Sequence, residues 1–249
     1  MYEINIISSD LRYEALNEIF LDNGYASRLC SKDTVRLPDA LILPIKSALN
    51  DEDYSKIFHR IKKSTLVFCA NESLRENFPN VNFICYANDE GFLDKNAYIT
   101  AECAVMIAMS EAKKTLRESK CAVVGYGRIG KHLSRILMAL GTDVVVYARR
   151  AQSRELAEND GCRSSQIEDI GNESLDIIFN TVPQKIISKS VSDKISGKAL
   201  AYDLASLPGG FEDEAFPKRA LGLPGKIMPI SAARAIFDFV NSCILAERK

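Results

Sequence analysis

Histidine is nearly absent from this chain: the 249 residues contain two, His59 and His132, and none follows position 132. No histidine is therefore available late in the sequence to serve as acid and base. The seven cysteines (30, 69, 85, 103, 121, 162 and 243) are scattered, odd in number and lack any C-x-x-C pair. That pattern gives neither a disulfide framework nor a zinc site; no metal is expected, and a reducing, cytoplasmic compartment fits best. With a net charge of −1 and no long basic run, nucleic acid and membrane surfaces have no electrostatic claim as partners. The opening Met1-Tyr2-Glu3-Ile4-Asn5-Ile6-Ile7 is a strand pattern with no basic leader, so neither a signal peptide nor a membrane span is expected. There is no solenoid repeat and no low-complexity tract.

What is present is most informative at Cys121-Ala122-Val123-Val124-Gly125-Tyr126-Gly127-Arg128-Ile129-Gly130. A short apolar strand runs into G-x-G-x-x-G, a helix is expected over 129–139, and a second strand over 143–147. The first glycine permits the tight turn, the second admits a pyrophosphate to the backbone, and the third lets the helix pack on the sheet. The pyrophosphate then meets free N–H groups and the positive end of the helix dipole. Where an NAD-preferring site carries Asp or Glu after the second strand, this chain has Tyr147-Ala148-Arg149-Arg150. Two guanidiniums suit a 2′-phosphate, which favours NADP while leaving NAD open; the alternative is that both arginines are a solvated strand end.

The length suits two domains, and strand and helix patterns alternate throughout. Strands are expected at 4–8, 40–44, 66–69, 83–86, 176–180 and 199–203, with helices between them. This is an α/β chain with two doubly wound parallel sheets. The expected division is an N-terminal substrate-side domain over 1–98, a connecting helix over 99–116 capped by Thr100, a Rossmann NAD(P)-binding domain over 117–232, and a C-terminal helix over 233–249. Residues 88–95 read as a polar domain edge, and Ser231 reads as the cap of a last helix that packs back toward the first domain, since such a helix needs tertiary burial to persist.

Ligands of open α/β sheets bind beyond the carboxyl ends of the strands. The loops leaving those ends in the second domain are 125–130, 148–150, Asn180-Thr181-Val182-Pro183, and 203–210. Asn180 and its turn would face the nicotinamide ribose, or else form a simple turn stopped by proline. Asp203 would orient a base or cap the next turn. Gly222-Leu223-Pro224-Gly225-Lys226 fixes a backbone path that delivers one cation, Lys226, near Ser231. That arrangement suits a carboxylate, an ordinary surface turn being the alternative.

Taken in order, Thr100-Ala101-Glu102, Gly125 to Gly130, Asn180 to Pro183, Asp203-Leu204-Ala205-Ser206 with Pro208-Gly209-Gly210, and Gly222 to Lys226 resemble the dipicolinate synthase A-chain family over most of positions 96–235. Asp10 and Arg12 resemble part of that family's opening G-G-D-x-R, with Ser8-Ser9 in place of the glycines. Cys103 replaces a glycine of T-A-E-G-A, and the segment before G-L-P-G-K is short. The layout is also related to D-2-hydroxyacid dehydrogenases, whose reaction uses a late His paired with Glu that this chain lacks. The resemblance implies NAD(P)-dependent oxidation of a dihydrodipicolinate-type ring to pyridine-2,6-dicarboxylate during spore formation. It also implies Arg12, Thr100, Ser206 and Lys226, with Ser231 nearby, as carboxylate contacts, and Glu102 or Asp203 as acceptor of the ring proton. A second synthase subunit is implied as a partner, and a homo-oligomer is open. Two other readings stand beside this one: a non-catalytic nucleotide-binding subunit of a heteromeric synthase, and an NADP-dependent dehydrogenase of another small carboxylic acid.

Overall fold

A computed structural model describes residues 2–45, 49–195, 197 and 199–247. The chain divides into two compact units, one comprising 1–96 with 224–249 and the other 97–223. Both are α/β units built on parallel sheets.

Unit 1 contains strands β1 (Glu3–Ile7), β2 (Ala26–Cys30), β3 (Ala40–Ile42), β4 (Leu66–Cys69) and β5 (Asn82–Cys85), paired in parallel in the order β2-β1-β3-β4-β5. The order reverses between β1 and β3, so the loops leaving these two strands flank the place where a doubly wound sheet binds ligands. Helix α1 (Leu11–Asp22) follows β1 directly, with Asp10 as its N-cap. One face of the sheet packs Ile7, Leu41, Leu43, Val67, Phe83 and Cys85 against Tyr54 and Ile57 of helix α2 (Asp51–Phe58) and Leu74 of helix α3 (Ser73–Asn77).

Three elements of this unit differ from the sequence expectation. The edge strand β2 and the short α3 carry too little apolar period to be read in advance. Residues 88–95 are not a polar edge: helix α4 spans Glu90–Glu111, because the Asp89 carboxylate accepts the Phe92 N–H at 2.6 Å and so supplies the start signal. Thr100 consequently lies buried in mid-helix and is no cap, and the division between the units falls within α4, between Asn96 and Ala97.

The terminal helix α9 (Pro229–Glu247) opens at Pro229, whose fixed φ suits the first helical position, so Ser231 sits exposed inside the first turn and not at the cap. It lies in the same unit as α1 and packs on it, with Phe20 against Phe237 at a ring separation of 5.0 Å, while Phe239 meets Phe68, Tyr86 and Phe92. By length and composition this helix could cross a membrane; its apolar residues are instead spent on α1 and the sheet.

Unit 2 holds β6 (Lys120–Val124), α5 (Arg128–Ala139), β7 (Asp143–Tyr147), α6 (Ala151–Asn159), β8 (Arg163–Ser165), β9 (Ile177–Asn180), α7 (Lys189–Ile195), β10 (Leu200–Asp203) and β11 (Lys218–Arg219). The six strands are parallel in the order β11-β10-β9-β6-β7-β8. Numbered from β6, this is the 3-2-1-4-5-6 winding of dinucleotide-binding sheets, with its switch point between β6 and β9. One face packs Ala122, Val124, Val145, Tyr147 and Ile178 against Ile167, Ile170, Ile187 and Phe211. On the other, Phe179 stacks on Tyr202, whose hydroxyl donates to Glu111 at 2.7 Å.

Candidate functional site

The switch point of unit 2 is built around three glycines that are glycine for three reasons. Gly125 has φ +93°, and a Cβ there would lie 2.5 Å from the Val182 side chain and 2.7 Å from Thr181 Oγ1. At Gly130 a Cβ would fall 2.2 Å from the Gly125 carbonyl oxygen. Both are therefore required by the protein's own packing. Gly127 is different: its φ is −82°, it is exposed as the N-cap of α5, and a Cβ would meet nothing within 4 Å. Nothing in unit 2 demands glycine there, and the open space above it, at a helix N-terminus with no acidic residue in its first turn, is what an approaching pyrophosphate requires.

The neighbouring loops are tied to this one. Thr181 donates both its N–H and its hydroxyl to the Val124 carbonyl at 2.9 Å, fixing the N-T-V-P turn beside the glycines. Tyr126, buried within the glycine loop, donates to the Asp160 carboxylate at 2.7 Å; burial and that hydrogen bond push its phenol up. Arg154 Nη1 donates to the carbonyls of Ala148 and Arg149 at 2.7 and 2.8 Å, holding the loop after β7. Arg149 and Arg150 are exposed there, and Arg149 Nη2 reaches Gln184 Oε1 at 2.8 Å. Arg128 and Ile129 form the exposed first turn of α5, and Pro183 is exposed after β9.

Two residues expected at the ligand surface lie below it. Asn180 is completely buried: its amide nitrogen donates to Asp203 Oδ1 at 2.8 Å and to the Val182 carbonyl at 3.0 Å, and its oxygen accepts the Val182 N–H. Asp203, 1% exposed, accepts from Asn180 and the Ala205 N–H on Oδ1, and from the Gly210 N–H and Arg219 Nη1 on Oδ2, both at 3.1 Å. Arg219 Nη2 also donates to the Pro208 carbonyl at 2.7 Å. A Cβ at Gly209 would collide with Arg219 and Asp203, and one at Gly210 with the Asn180 amide. The P-G-G of the D-L-A-S-x-P-G-G stretch is thus the space this polar network needs, and its rigid base leaves Ser206 exposed above the carboxyl end of β10. Arg219 escaped the sequence reading because nothing local marks an arginine on a two-residue edge strand.

Glu102 lies half-buried on α4 and accepts the Tyr98 hydroxyl at 3.1 Å on Oε1, while Oε2 has no acceptor role toward any described residue. Tyr98 also meets the ring of His132 edge-on at 5.5 Å.

At the switch point of unit 1, Asp10 and Arg12 form a two-point ion pair: Nε lies 2.8 Å from Oδ1 and Nη2 2.9 Å from Oδ2. Arg12 is 5% exposed. Gly225, in the short helix α8 (Leu223–Ile227), backs directly onto this pair, and Lys226 beside it is exposed. Arg12 and the G-L-P-G-K stretch, more than 200 positions apart, are therefore brought together, and Ser231 lies in the same unit.

The class follows from the winding of unit 2 and from Gly127. Residues 100–199 match the NAD binding domain of the D-isomer specific 2-hydroxyacid dehydrogenases, so this part of the chain is a nicotinamide dinucleotide-binding domain of oxidoreductase type. The particular relative is the dipicolinate synthase A chain of Bacillus subtilis (strain 168), 31% identical over 160 residues, an alignment covering 61% of this chain and 54% of that protein. The chain thus matches about half the length of that relative in sequence, and the family resemblance drawn from the motifs holds. In fold, the crystal structure of the dipicolinate synthase A chain from Bacillus subtilis superposes with a TM-score of 0.79 at 23% identity, covering 99% of this chain and 96% of that one. The corresponding dipicolinate synthase chain from Bacillus halodurans gives 0.80 at 22% identity, covering 96% of each.

Proposed function

We propose that this chain oxidises a dihydrodipicolinate-type ring to pyridine-2,6-dicarboxylate, with NADP⁺ preferred over NAD⁺. A bound nicotinamide dinucleotide supplies the hydride acceptor; loss of one hydride and one proton from the ring completes aromatisation, which provides driving force and leaves the protein mainly to position a dianion. The observation that carries the substrate class is Arg12. Of its five N–H donors, two go to Asp10, and the other three find no acceptor among the described residues although the side chain is 6% exposed. Lys226 adds a second cation in the same unit. Glu102, with one oxygen uncommitted, is the better candidate for the ring proton, and Ser206 and Thr100 are proposed as further contacts. Arg149 and Arg150 are assigned the 2′-phosphate, since no carboxylate follows β7 to repel it. The 2-hydroxyacid reaction is not proposed, because no histidine follows position 132. Action in the cytoplasm and with a second subunit belongs to the same reading, in keeping with seven free cysteines.

The test is absorbance at 340 nm with purified protein, NADP⁺ or NAD⁺, and substrate generated in situ. Reduced cofactor should accumulate with dipicolinate, Lys226→Ala should abolish the signal, and Arg149→Ala should raise KM for NADP⁺ about 10-fold while leaving that for NAD⁺ nearly unchanged, the loss of one charge-assisted contact. Dinucleotide binding without turnover until a second subunit is added would favour the non-catalytic reading, for which Ser8-Ser9 in place of the family's glycines is the specific support. Turnover of a different small acid alone would favour the third.

A further inference from the structure

We infer that Asp10 and Gly225 are positioning residues that lock the Arg12 guanidinium by its side-on edge, presenting its end-on pair of N–H groups to one carboxylate of the substrate. The inference rests on the assignment of Arg12 made above. A guanidinium has two edges that match a carboxylate: Nε with Nη2, and Nη1 with Nη2. Asp10 occupies the first through Oδ1 and Oδ2, so the second is left in a fixed plane. The same carboxylate accepts the Arg12 backbone N–H at 3.2 Å, which joins the orientation of the side chain to the first turn of α1. Gly225 closes the pair from the other side. A Cβ there would lie 2.3 Å from Nη2, 2.5 Å from Nε and 2.6 Å from Asp10 Oδ2, and its φ is not positive, so glycine is demanded by the space that Arg12 and Asp10 occupy and not by the backbone.

The physical gain is twofold. Burying an arginine without a partner is costly, and Asp10 makes that burial tolerable. Ordering a long side chain also consumes rotamer entropy, and here that loss is taken during folding and not on binding. Because Lys226 leaves the cluster with a net positive charge, the neutralised pair still lies in a field that favours a dianion.

Titration calorimetry with dipicolinate and with pyridine-2-carboxylate, on the full chain saturated with NADP⁺, tests this. Asp10→Asn is informative because asparagine caps a helix as well as aspartate does, so the start of α1 is kept while the two-point ion pair is lost. The expected result for Asp10→Asn and for Gly225→Ala is a Kd for dipicolinate raised about 10-fold, with the preference for two carboxylates over one shrinking by the same factor and the NADP⁺ Kd within about twofold of wild type. A merely structural role would weaken both ligands alike. If Arg12→Lys weakens dipicolinate and the two neighbours do not, the positioning role is overturned and the Arg12 assignment stands. If the wild-type chain binds no dipicolinate, or Arg12→Lys changes nothing, the assignment fails and the inference with it.

Discussion

Gly127→Val is expected to leave unit 2 folded and to raise the Kd for NADP⁺ by about 100-fold or more, roughly 2.7 kcal/mol, whereas Gly130→Ala is expected to damage the unit itself. The two substitutions sit three residues apart in one motif and should fail for different reasons. At position 127 the backbone is extended and the space around a Cβ is empty, so any residue fits the unliganded chain; what a branched side chain displaces is the pyrophosphate. At position 130 a single methyl meets the Gly125 carbonyl oxygen at 2.2 Å, well inside contact distance, and α5 cannot move away without giving up the packing of Leu133 and Leu137 under β6 and β7. Thermal unfolding and fluorescence titration with NADPH separate the cases. A melting temperature for Gly127→Val within a few degrees of wild type, with nucleotide binding lost, is the expected pair of results; retention of binding would remove the dinucleotide from this loop. Gly130→Ala should lower the melting temperature of unit 2 before any ligand is added.

That contrast also marks how far the sequence could be read. The motif, its flanking strands and the winding they imply were legible because each step has a local signature: an apolar run, glycines at fixed spacing, a helix period. The elements that escaped have none. β2 is a half-exposed edge strand, α3 has five residues and β11 only two. The length of α4 was misread because its start signal, Asp89, is followed two residues later by Gly91 in a stretch without apolar period. The site shows the same limit more sharply. Arg12 and Lys226 were legible as separate charged residues, but the reason Gly225 is glycine lies in a pair near the opposite end of the chain. Asn180 and Asp203 were read as cleft residues because both end strands where ligands bind. Their burial depends on the adjacency of β9 and β10 and on Arg219, which spacing alone does not reveal.

Asp203 therefore carries the second large effect, and its expected direction separates an anchor from a catalyst. Asp203→Ala should destabilise unit 2 by about 3–5 kcal/mol, the usual cost of removing one member of a buried, fully hydrogen-bonded charge cluster. The loss leaves the Gly210 N–H and the Asn180 amide without their acceptor, and these are the groups against which the 204–210 loop is built. Arg219, whose side chain is 27% exposed, can turn to water, so Arg219→Ala should cost less, within the roughly 1.5–3 kcal/mol typical of a hydrogen bond to a charged group. Hydrogen exchange at the β9 and β10 amides under increasing urea reads this for unit 2 alone. A proton acceptor would behave in the opposite way: its isosteric amide would keep stability and lose turnover. Glu102→Gln is expected to do so, since Glu102 makes a single exposed hydrogen bond to Tyr98, while Asp203→Asn should lose stability in proportion to activity. Should Asp203→Asn instead retain wild-type exchange rates with kcat lowered about 100-fold or more, about 2.7 kcal/mol of barrier, the carboxylate buried under the loop would have to be given back its chemical role.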